Sequence, residues 1–62
     1  MKQKVEVKLG VGSRAFWDDV DSVNIVHNNV LSLHWTDSNG FVIRNVCYKE
    51  WVSFDAEEDT DV

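Results

Sequence analysis

Proline is missing from this chain of 62 residues, and cysteine occurs once, as Cys47. A lone cysteine excludes an internal disulfide framework, so the chain is not a stapled secreted mini-protein. No apolar run approaches the ~18 residues of a membrane-crossing helix. The segment Met1–Lys8 alternates charge with valine and lacks the apolar stretch of a signal peptide, so the expected compartment is the cytoplasm. Basic residues are scarce: six Lys and Arg stand against eleven Asp and Glu, for a net charge of −5. Nucleic-acid affinity rests largely on cations that displace counterions, so direct binding to DNA or RNA is not expected. What is present is apolar, with 44% hydrophobic residues and seven aromatics, too much for a chain disordered throughout. A domain of this size hides only about 60% of the surface its unfolded chain exposes, so its core is small.

Charge is unevenly placed. Residues 1–14 carry Lys2, Lys4, Lys8 and Arg14 against Glu6, whereas residues 15–62 carry only Arg44 and Lys49 against ten acids. The acids gather at Asp18, Asp19 and Asp21 and again from Asp55 to Asp61. The end of the chain lacks apolar residues between Ala56 and Val62, which divides it into a single β domain over 1–56 and a flexible acidic tail over 57–62.

The patterning is mainly β: a small antiparallel meander of four to five strands, curled or barrel-like, with strands expected near 3–9, 22–27, 30–36, 41–48 and 51–55. Val5, Val7 and Leu9 alternate with charged residues, and Leu31, Leu33 and Trp35 alternate with Ser32, His34 and Thr36. Alternating charge along the first strand suits an outer strand protected against aggregation. A three-residue loop over His27–Asn29 sets Ile25 opposite Leu31 and Val23 opposite Leu33, with Asn29 left-handed. At Asp37-Ser38-Asn39-Gly40, a two-residue Asn39-Gly40 turn sets Val46 opposite Leu33 and Arg44 opposite Trp35. A three-residue Ser38–Gly40 loop sets Ile43 opposite Trp35, and the first register is favoured. Residues 13–20 are ambiguous. Ser13 caps one helical turn with Phe16 and Val20 on a shared face, or Arg14–Trp17 is a short strand beside the first; the strand is favoured. The expected core is Val5, Val7, Leu9, Phe16, Val23, Ile25, Leu31, Leu33, Trp35, Val46 and Phe54.

Catalytic and metal chemistry find little support. His27, His34 and Cys47 lack zinc-ligand spacing. The Asp37–Gly40 segment resembles the start of a calcium loop, but the twelfth position is Tyr48, where a bidentate glutamate belongs. Gly10-Val11-Gly12-Ser13 lacks the lysine of a phosphate loop. Cys47 has no histidine base at a recognisable spacing and reads as a semi-buried structural cysteine. No enzyme, cofactor or metal is expected.

Binding features are richer. Trp17 adjoins three aspartates, and Trp51 falls on the face opposite Val52 and Phe54, so one or both indoles are expected to be partly exposed. With Asp18, Asp19, Asp21, Glu50 and Asp55 they form the expected partner-binding surface, aromatic anchors ringed by charge. Residues two apart on a strand lie about 6.6–6.8 Å apart, a spacing comparable to that between backbone phosphates, which permits imitation of a duplex. In size, acidity and aromatic content the chain is similar to small virus-encoded accessory proteins, often single acidic domains that inhibit a host nucleic-acid enzyme or defence system. That resemblance implies a stoichiometric inhibitor or adaptor acting in the host cytoplasm on a protein with a basic surface. The alternative is a structural or regulatory β-module that self-associates, as a homodimer or within a larger complex.

Overall fold

A computed structural model describes residues 2–58. It is a mainly β architecture of six strands, β1 (Gln3–Gly10), β2 (Ser13–Val20), β3 (Ser22–Val26), β4 (Val30–Thr36), β5 (Val42–Tyr48) and β6 (Ser53–Glu58). They form two antiparallel three-stranded sheets, ordered β2-β1-β6 and β3-β4-β5, which do not close into a barrel. The expected single meander is therefore split, and the stretch left ambiguous is a full strand rather than a helical turn.

The split has a local cause. Gln3 pairs with Val20 and Val5 with Trp17, so Asp18 and Asp19 together oppose Lys4 alone. This is a bulge, with Asp19 left-handed at φ 58°. The chain bends there and re-enters pairing immediately, since the Asp21 amide donates to the His34 carbonyl at 2.9 Å. β2 and β3 are thus nearly one strand, bent so that its first half serves one sheet and its second half the other. β1 lies in the middle of its sheet rather than at the outside, because β6 returns to pair with it.

The expected loop after β3 is observed: Ile25 pairs with Leu31 and Val23 with Leu33, across a turn in which both Asn28 and Asn29 have positive φ. The β4–β5 hairpin combines the two registers considered. Asp37 closes on Phe41 around Ser38–Gly40, yet Leu33 pairs with Val46 and Trp35 with Arg44. Between Trp35/Arg44 and Thr36/Val42 lies an irregularity that takes up Ile43. A three-residue loop plus a bulge has the same pairing further along as a two-residue turn.

Val5, Val7, Val20, Leu31, Leu33 and Trp35 are buried, with Leu9, Ala15, Trp17, Val23, Val46, Tyr48, Trp51 and Phe54 packed against them. Two expected core residues are displaced. Phe16 is 71% exposed, because in a strand it pairs with Glu6 and shares its outward face. Ile25 keeps its pairing but is 54% exposed, because β3 is an edge strand. β6 runs past the expected end at 55 and takes in Glu57 and Glu58, which pair with Lys4 and Gln3. The remainder of the expected tail, 59–62, lies outside the described residues.

Candidate functional site

The two expected anchors, Trp17 and Trp51, are partly buried against the core and each makes structural contacts. Trp17 pairs with Val5 and faces inward. Its Nε1 donates to the Tyr48 hydroxyl at 2.8 Å, and its ring meets Trp35 edge-on at 5.4 Å between centroids. The Arg44 guanidinium lies 4.8 Å from the Trp17 ring centroid and 5.1 Å from that of Trp35, two cation–π contacts on one cation. Trp35 Nε1 donates to the Asp18 carbonyl at 2.9 Å, so these aromatics tie β4 and β5 to the other sheet. Trp51 packs edge-on against Phe54 and donates its Nε1 proton to the Asn29 carbonyl at 2.8 Å. Alternation did not extend back to Trp51 because β6 begins only at Ser53.

The acids also separate. The Asp21 carboxylate accepts from the Thr36 amide at 2.7 Å and is 3.1 Å from Lys2 Nζ, which makes it a brace between the sheets. The Thr36 amide first, and then Lys2, hold its carboxyl below the usual carboxylate range. Glu50 is exposed in the link between β5 and β6. Asp18, Asp19 and Asp55 remain exposed, and Asp18 and Asp55 border one groove.

That groove, about 230 Å³, lies on the outer face of β2-β1-β6 and is lined by Lys4, Glu6, Phe16, Asp18, Asp55 and Glu57, with Val5 and Trp17 contributing to its floor. Register explains its composition. Phe16, Glu6 and Asp55 form one row across the three strands. The Asp18–Asp19 bulge, Lys4 and Glu57 form the next row, and Arg14, Lys8 and Ser53 the row on the other side. The face is therefore polarised, cationic at the Arg14/Lys8 end and acidic at the bulge. Glu6 and Asp55 stand directly opposite each other, a like-charge pair that disfavours the bare sheet. Arg14 Nη1 lies 3.2 Å from Glu6 Oε2, yet that oxygen is shielded from solvent and makes no hydrogen bond. Phe16, Glu6, Lys4 and Glu57 were missed by the sequence reading; strict alternation from Val5 and Val7, carried across the strand pairing, was the available signal.

The outer face of the second sheet carries a different group. Ser32 Oγ donates to Asn45 Oδ1 at 3.2 Å and lies 3.1 Å from His34 Nε2, while His34 Nδ1 lies 3.3 Å from Ser22 Oγ. Cys47 is exposed rather than semi-buried, with Sγ 3.6 Å from Asn45 Oδ1 and 3.8 Å from Ser32 Oγ. Among the described residues, no three His, Cys, Asp or Glu side chains converge as a metal site. None of the described residues forms a helix long and apolar enough to cross a membrane.

Comparison with protein-family models, with curated proteins and with solved structures finds no significant match to this chain.

Proposed function

We propose that the protein acts by binding, and that the outer face of β2-β1-β6 occupies a basic site on a partner protein as a stoichiometric inhibitor or adaptor. The row Phe16–Glu6–Asp55 carries this reading. An exposed ring lies beside two opposed carboxylates, Glu6, already ion-paired with Arg14, and the exposed Asp55. An arriving arginine or lysine relieves the like-charge pair, stacks its stem or charged head on Phe16, and meets Asp18 and Glu57 at the flanks. The anchor is thus Phe16 where the sequence pointed to Trp17 and Trp51. The carboxylates lie at strand spacings, which supports a partner whose basic groove otherwise holds nucleic-acid phosphates.

The test is capture from a host lysate at low and high salt, followed by competition of the captured protein against labelled duplex. Phe16→Ala should raise the off-rate, since an anchor acts after encounter. Asp18→Lys with Asp55→Lys should lower the on-rate, and less so in high salt. Inhibition of duplex binding that survives both changes undiminished overturns the proposal.

A further inference from the structure

The groove on β2-β1-β6 is unevenly neutralised by the chain's own cations. Its lining carries four acids, Glu6, Asp18, Asp55 and Glu57, against Lys4. Lys4 lies between Glu57 and the Asp18–Asp19 bulge and partly offsets that row. Arg14 reaches Glu6 from the other side, and counting both cations leaves the groove two negative charges in excess. Among the described residues Asp55 makes no ion pair. It stands opposite Glu6, which stands opposite Phe16, on neighbouring strands about 4.7–4.9 Å apart. An unpaired carboxylate and an exposed ring therefore flank the Glu6 carboxylate on its two sides.

We infer that the groove is a receptor for one arginine side chain of the partner, in preference to lysine. The inference deepens the binding reading above and rests on it, since it names the group that enters the groove. A guanidinium is flat and carries N–H donors along more than one edge. One arginine can thus lie along the Phe16 ring and direct donors at Asp55 and Glu6 together. An ammonium is compact and strongly hydrated, and it gains less from the ring. This chain already seats guanidinium groups in both ways. Arg14 lies 3.2 Å from Glu6 on this same face, and Arg44 lies over two indole rings between the sheets. Arg14 also bounds the groove: it takes the Glu6 side towards Lys8, which leaves the Asp55 side to the incoming head. The partner's arginine is of the kind that otherwise holds a phosphate by paired donation.

Capped Gly-Arg-Gly and Gly-Lys-Gly peptides, titrated into the isotope-labelled full chain over about 0.1–20 mM, test this through amide chemical shifts. The arginine peptide should bind about two- to fivefold more tightly, the worth of one exposed cation–π contact, with shifts at residues 4–6, 16–18 and 54–57. Phe16→Leu keeps an apolar side chain at an exposed position and removes the ring, so it should bring the two peptides level. Asp55→Asn, also exposed, should weaken both peptides and decides the matter if Phe16→Leu fails to fold. Equal affinities in the unsubstituted protein, a preference that survives Phe16→Leu, or binding indifferent to Asp55→Asn overturns the inference. So do shifts confined to β3, β4 and β5, or none with either peptide. The binding reading stands or falls separately, on capture and duplex competition.

Discussion

Leu33 is the residue on which both sheets converge. It is fully buried in the central strand of the second sheet, pairs with Val23 and Val46, and belongs to the cluster that includes Val5 and Val7 of the first. Truncation to alanine should cost about 2–5 kcal/mol, comparable with the whole stability of a small domain. A cooperative thermal transition at the wild-type temperature would contradict this. Asp21 makes a second residue-level claim. Its carboxyl titrates lower when folded than when unfolded, so the ionised group stabilises the fold above the ordinary value of about 3.8 and that contribution is lost as pH falls through the folded value. Denaturant titrations across the acid range should show Asp21→Ala less stable than wild type near neutrality, with the difference shrinking as Asp21 becomes protonated. A difference independent of pH would assign its role to something other than the charge.

Among elements, the bent β2–β3 strand decides the architecture, and the bulge at Asp18–Asp19 decides the bend. Asp19 holds a left-handed conformation that β-branched residues resist, so Asp19→Val should destabilise by roughly 1–2 kcal/mol while Asp19→Gly is tolerated. Equal melting temperatures for the two variants would remove the bulge from the account. This bulge also marks where the sequence stopped being legible. Alternation carried Val5, Val7, Leu31, Leu33 and Trp35 to their correct faces, and facing hydrophobic residues fixed the β3–β4 register. In β2, Trp17 and Val20 both face inward although three positions separate them, which simple alternation forbids and a bulge allows. Without the bulge, alternation cannot place Trp17 and Val20 on one face, and Phe16, expected in the core, is exposed on the other. Alternation puts Glu6 on the outward face, but its meeting with Asp55, and that of Lys4 with Glu57, depends on β6 returning to β1, a long-range pairing with no local signature.

For the whole molecule, the two open sheets present different outer faces. One is acidic around an exposed phenylalanine; the other is a hydrogen-bonded Ser–His–Asn group beside an apolar edge. The binding proposal uses the first face, and its most direct test is the amide-exchange footprint of the captured partner protein on this chain. Slowed exchange across residues 4–6, 16–18 and 54–57, with β3 unchanged, is the predicted result. A footprint confined to β3, β4 and β5, leaving the Phe16–Glu6–Asp55 row exchanging as in the free protein, would contradict it.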